Sequence, residues 1–168
     1  EEEGNYAGYL PIFLGISLPA TAEPTILGPT GLIVNPTADI TAVEHAWIAL
    51  NFLDNDDNSL WTLNFTGSVS EEFEVGVGAI HPDDGDDGIS FFLKWLFYQE
   101  SENLPGAAAG ITITDIAGEN TTMLYLVASK FFYLGEYASE NASVHGGLSY
   151  ITGSGTDEFE FFGGLDVE

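Results

Sequence analysis

Apolar residues alternate with small or polar ones along most of this chain, and clusters of turn-forming residues interrupt the alternation at short intervals. A repeat of two is the strand period, because successive side chains of a strand point to opposite faces. The pattern predicts strands over 8–18, 45–53, 60–69, 72–80, 89–98, 106–114, 121–134, 142–151 and 158–167. Between them lie LDNDDNS, HPDDGDDG, SENLPG, DIAGEN, GEYASEN and TGSGTDE, all rich in Gly, Asn, Asp, Ser or Pro, the residues that turns select. The segment AVEHAWIALNFL would also suit a helix in isolation. The expected fold is all-β, an antiparallel meander closing into a small β-barrel of about 8–9 strands.

The stretch PATAEPTILGPTGLIVNP breaks this pattern, since it holds four of the seven prolines and cannot be a central strand. Three regions follow: an N-terminal strand within 1–18, separable from the body; a Pro/Gly/Thr-rich connector over 19–36; and a barrel domain over 37–168.

Sorting the strands by face places Trp61, Leu63 and Phe65, then Val75 and Val77, then Phe91, Leu93 and Trp95 on one apolar side. Thr62, Asn64 and Thr66, with Glu72, Glu74, Gly76 and Gly78, occupy the other, as do Thr112, His145, Ser149, Glu158 and Glu160. In a soluble barrel or sandwich the apolar side is the core. In a membrane barrel it faces lipid, and the small polar side lines a narrow lumen. Alternation alone is symmetric under that inversion. The two lysines bear on the choice. Lys94 shares the face of Phe92, Leu96 and Tyr98, Lys130 that of Ala128 and Phe132, and Ala108, Gly110 and Thr112 leave room between them. One reading puts Lys94 and Lys130 in an interior network with Glu72, Glu74, Glu158 and Glu160, stabilised only if fully paired. The other leaves both lysines on a solvated face, laid over aromatics.

Charge narrows the classes. With 27 acidic residues against two basic ones, the formal charge is −25. That excludes nucleic acid as a partner, which needs clustered Lys and Arg, and disfavours anionic lipid headgroups. There is no cysteine, hence neither disulfide nor thiolate metal site. No apolar run reaches the roughly 20 residues of a membrane-spanning helix, a test to which strands are invisible. No basic or apolar leader precedes Glu1, as expected of an exported chain whose signal has been removed.

GPTGLIVNPTADI (28–40) resembles the GLI-x-x-PTA opening of YjbH-type bacterial outer-membrane proteins associated with exopolysaccharide. PGAAAGITITDIAGENTTMLYLVASKFF (105–132) looks like their central Ala/Gly-rich strand, DI-x-G turn and strand ending in ASK, and FFGGLDVE like their FGG-acidic strand. The similarity covers about residues 28–168. These are packing and turn motifs, and Lys130 falls at the ASK lysine. The resemblance implies an envelope β-barrel without catalytic residues, at the outer membrane or cell surface.

Candidate chemistry is sparse. Asp54, Asp56 and Asn58 start like a D-x-D-x-N calcium loop, but Ser59 stands at the turn glycine and Phe65 at the closing glutamate. Asp83, Asp84, Asp86 and Asp87 form a second oxygen-rich turn suited to calcium. His45, His81 and His145 lack metal-ligand spacing, and no nucleophile elbow occurs. The expectation is therefore a non-enzyme with calcium as its one candidate cofactor. It is a cell-envelope β-barrel in contact with a lipid bilayer. One alternative is a self-assembling extracellular filament or tube subunit, in which copies join by donating the first strand, with calcium at the contacts. Another is an acidic carbohydrate-binding β-sandwich that meets polysaccharide through Trp47, Trp61 or Trp95.

Overall fold

The computed structural model describes residues 25, 29, 31, 36–43, 45–54, 59–133, 141–153 and 155–167. The expected strand over 8–18 lies outside them. The other eight form as read, with ends within two residues of expectation. They are β1 (Ala46–Asp54), β2 (Ser59–Ser68), β3 (Phe73–Pro82), β4 (Gly88–Tyr98), β5 (Gly106–Ile116), β6 (Glu119–Tyr133), β7 (Asn141–Gly153) and β8 (Thr156–Val167). All eight belong to one antiparallel sheet whose spatial order is the sequence order. Turn chemistry explains the meander. The DIAGEN turn is a two-residue connection with Ala117 at φ 57° and Gly118 at φ 81°, the left-handed pair that a tight hairpin requires. Asp115 Oδ1 accepts from the Gly118 N–H at 3.0 Å and fastens it.

The sheet is built inside out. Asn51, Thr62, Asn64, Thr66, Ser90, Thr112 and Ser149 are buried, while Ile48, Leu50, Leu63, Phe65, Phe91, Leu93, Leu124, Leu126 and Val144 are exposed. No second layer packs on this sheet among the described residues; the polar face is the buried, concave one, since residues 38–41 alone reach Ser68 on β2, Glu74 on β3 and Ser129 on β6. Residues 37–43, expected at the start of the barrel domain, belong to no strand and run as a strap under the concave face, where Thr37, Ala38 and Thr41 are buried.

Closure is where the structure departs from expectation. No ladder joins β1 to β8 among the described residues; they are the two edges of the sheet. Consecutive strands are brought together by their turns, but no turn enforces a pairing between the first and last strands. Of the 19–36 connector, Gly31 and Pro36 form an isolated bridge and the Thr25 N–H donates to the Pro29 carbonyl at 2.7 Å.

Nothing lies within 4 Å of a Cβ built at Gly118, so a side chain there meets only the cost of its φ. Gly118→Val is expected to lower stability by about 1–2 kcal/mol in denaturant unfolding, and Gly118→Asn by less.

Candidate functional site

The pairing registers align Ser68, Glu74, Lys94, Gly110, Tyr125, Ser149 and Glu160 in one row across β2 to β8, all on the concave face. At its centre Glu74 and Lys94 are both 0% exposed, with Lys94 Nζ 3.7 Å from Glu74 Oε1. A buried charge persists only if its remaining bonding capacity is met. The strap meets it: Glu74 Oε2 accepts from the Thr41 N–H at 2.8 Å and from Thr41 Oγ1 at 3.0 Å. Ser68 Oγ donates in turn to the Thr41 carbonyl. Three residues earlier, the Ala38 N–H donates to Ser129 Oγ at 2.7 Å, and Ser129 Oγ shares a hydrogen bond of 2.7 Å with His145 Nδ1. Ala38 packs in an apolar cluster with Ala108, Tyr125 and Val127, flanked by Leu96, Met123 and Phe162. Beside the strap an open cleft of about 530 Å3 is lined by Asp39, Thr41, Glu71, Glu100 and Ser129, among others.

Two glycines make room for bulky groups in this interior. A Cβ on Gly110 would lie 2.2 Å from the Tyr125 ring and hydroxyl, and one on Gly76 would lie 2.3 Å from the Phe92 ring. Each ring therefore occupies the space over a glycine of the neighbouring strand.

Of the six residues expected in an interior network, the structure brings together Glu74 and Lys94. Lys130 is a correction. Gly110 pairs with Tyr125, so the odd-numbered residues of central β6 share the Lys94 face; Lys130 pairs with Val144 on the convex side. Its Nζ donates to Glu100 Oε1 at 2.9 Å and to the Ser101 and Glu102 carbonyls at 2.7 and 3.2 Å, clamping the β4–β5 loop to β6. Parity was unreadable there because TTMLYLVASKFF is apolar on both faces. Glu72 is exposed in the β2–β3 turn, where its N–H donates to Ser70 Oγ at 3.2 Å, rather than in a strand. Glu158 and Glu160 do share the concave face by register but are exposed, because β8 is an edge. Tyr98 leaves the Lys94 face through a register shift between Leu96 and Tyr98.

The proposed oxygen ligands divide. Asp54 ends β1, and Asp56 and Asn58 lie outside the described residues. Asp83, Asp84, Asp86 and Asp87 are exposed around the β3–β4 turn, and Asp87 meets His81 Nδ1. Among the described residues no three His, Asp or Glu side chains gather as metal ligands. Trp47 is buried, not offered to a ligand, whereas Trp61 and Trp95 are exposed on the convex face. Thr41, Ala38, Ser129 and His145 were missed as site residues. Proline marked the strap's neighbourhood as non-strand, but a nonrepetitive segment carries no periodicity from which to place it.

Glu74→Ala is expected to cost about 3–5 kcal/mol, since it strands a buried ammonium. Combining Glu74→Gln with Lys94→Met should recover most of that loss, because the Gln carbonyl still accepts from Thr41; paired denaturant melts measure both.

Compared with family models, with curated proteins and with solved structures, the chain matches none, and the arrangement of its own residues is what bears on function.

Proposed function

We propose that this chain is a non-catalytic, membrane-embedded β-barrel of the cell envelope, of outer-membrane type. The observation that carries the reading is the sense of the sheet, with a wet-type face buried and a greasy face exposed. Along β4 the convex positions are Ile89, Phe91, Leu93, Trp95 and Phe97, about 26 Å of strand at roughly 3.3 Å per residue. At the usual tilt of about 35–45° that stretch rises about 20 Å and the whole 11-residue strand about 25 Å, the height of the apolar band of such barrels. Charged residues on the convex face, Asp115, Lys130 and Asp157, stand near strand ends. Aromatics gather toward both rims. Trp61 lies 4.8 Å from His81 and Tyr150 4.7 Å from Phe159 at one, while Trp95 lies 6.1 Å from Phe73 and 5.6 Å from Phe97 at the other. Such rings favour the membrane–water boundary.

Strands of 9 to 15 residues are long enough to cross, as a tilted spanning strand needs about 9–11. An even number of strands is the rule for bacterial barrels. In lipid, the free N–H and C=O groups along β1 and β8 would each cost several kcal/mol, so the two edges pair with one another there and close the barrel. The motif resemblance to YjbH-type proteins points the same way. The open edges also support a second reading, in which β8 of one copy pairs with β1 of the next and the chain polymerises.

Refolded chain is expected to require detergent or lipid for monodispersity and to insert into vesicles. Leu93→Arg, at mid-belt, should weaken insertion by about 2–4 kcal/mol, and Asp157→Lys, at a rim, by far less; vesicle flotation and heat-modified gel mobility read both. In vesicles, β1 and β8 amides should exchange as slowly as those of β4. Monodisperse protein in plain buffer would overturn the membrane reading. Detergent-independent fibres would replace it with the polymer.

A further inference from the structure

We propose that in the bilayer the free edge of β8 takes β1 of the same chain as its partner in one register, from Phe159 opposite Asp54 to Val167 opposite Ala46. This rests on the membrane-barrel reading and goes beyond it by fixing how the sheet closes. The support lies in the pairing registers. One convex row can be followed from edge to edge, leaving β1 at Ala46 and passing through Val75, Leu93 and Ile111 to Tyr150 and Phe159. A row at right angles to tilted strands does not meet itself after one circuit of a barrel. It returns to the first strand displaced by the shear, and eight strands tilted by about 36° have a shear of about eight residues. That displacement carries the row from Ala46, the first residue of β1, to Asp54, its last.

The direction of the displacement follows from two hydrogen bonds. The Asp83 N–H donates to the Ser59 carbonyl at 2.9 Å, between convex positions of β2 and β3. The Leu96 N–H donates to the Glu72 carbonyl at 2.8 Å, between concave positions of β3 and β4. For L-residues this alternation puts each next strand to the right when the convex side is viewed with β2 pointing up. Barrel strands tilt one way because their twist has one hand. The row therefore descends as it travels right, and it meets β1, which points down, toward its C-terminal end.

This register uses β1 completely. All nine of its residues face Phe159–Val167, so none of its N–H and C=O groups is left bare in lipid. On the concave side Ala49 faces Gly164 and Asn51 faces Phe162. Leu53 faces Glu160 one residue from the end of β1, which keeps Glu158 and Glu160 at the mouth, where water reaches them. On the lipid side Ile48 meets Leu165, and Phe52 meets Phe161 as an aromatic cross-strand pair. A shear two residues smaller sets Asp54 against Asp157, two carboxylates opposed. A shear two residues larger carries Ala46 and Trp47 past Val167, the end of β8.

The chain has no cysteine, so introduced pairs report register without background. Opposed residues of an antiparallel pair lie within disulfide reach, whereas a slip of two residues parts the Cα atoms by about 7 Å or more, at or past its limit. The test oxidises vesicle-inserted protein, with insertion first verified by heat-modified mobility, and detects intramolecular cross-links on denaturing gels with and without reductant. Ala49→Cys is combined with Gly164→Cys, with Phe162→Cys or with Asp166→Cys. A second set on the lipid face combines Leu50→Cys with Gly163→Cys, with Phe161→Cys or with Leu165→Cys, so that poor folding in one set does not end the test. In each set the first pair should cross-link about tenfold or more faster than the other two, because a stretched disulfide is strained. Faster cross-linking of another pair overturns the register and leaves closure standing. No intramolecular cross-link in any inserted variant overturns closure within one chain, and disulfide-linked dimers give the β8 edge to a second copy instead. Failure of the wild type to insert overturns the barrel reading, and this inference with it.

Discussion

The concave side of the sheet depends on the carboxylate of Glu74. One oxygen faces the Lys94 ammonium and the other accepts two hydrogen bonds from Thr41, all without exposure to solvent. A single carboxylate thus ties β3 to β4 electrostatically and both to a segment that belongs to no strand. Remove it and a buried cation loses its nearest counter-charge while the strap loses its anchor. The pair is weak grounds for stability in itself, because desolvating two ions consumes most of their attraction. Its contribution is definition: it sets where the strap enters and how deep it lies.

That arrangement makes sense of the small residues beside it. Gly110, the register partner of Lys94, offers no side chain, and the space over it takes the Tyr125 ring from β6. Gly76 does the equivalent for Phe92. A narrow curled interior cannot hold a long cation and several aromatics unless facing positions are nearly empty. The concave face is therefore a mixture of glycine, hydroxyl and amide, with few large groups, two of them rings set over glycines. Outside, the convex side carries large apolar residues along β1 to β4 and on the far halves of β5 to β8, with Ala107, Ala128, Gly146 and Gly163 as a small-residue row near the strap end.

Lys130 shows the other use of a scarce cation. At the strap end of the convex face it gathers a carboxylate and two carbonyls from the β4–β5 loop, while the Phe131 N–H donates to both Glu100 oxygens at 3.0 and 3.1 Å. A chain with 27 acids and two lysines thus places one lysine inside the curl and spends the other on holding a loop to a strand end. Neither is left on open surface, where a lone lysine among so many carboxylates would contribute little beyond diffuse attraction.

Local patterning along the chain was enough to read the strands, their turns and the division of each into a greasy and a small polar side. These are local properties: a period of two needs only neighbouring residues, and a hairpin needs only its turn. It also placed Glu74 and Lys94 on one face, as two of six residues in a candidate interior network, since on β3 and β4 alternation is clean enough to read a face. Tertiary structure alone decided which side turns inward, because alternation reads the same from either face. It alone put Lys130 outside, since β6 is apolar on both sides and only pairing with β5 sets its parity. And it alone brought residues 37–43 beneath the sheet, because a segment without periodicity is located by its partners, Glu74 and Ser129, which lie 33 and 91 positions from Thr41 and Ala38 along the chain.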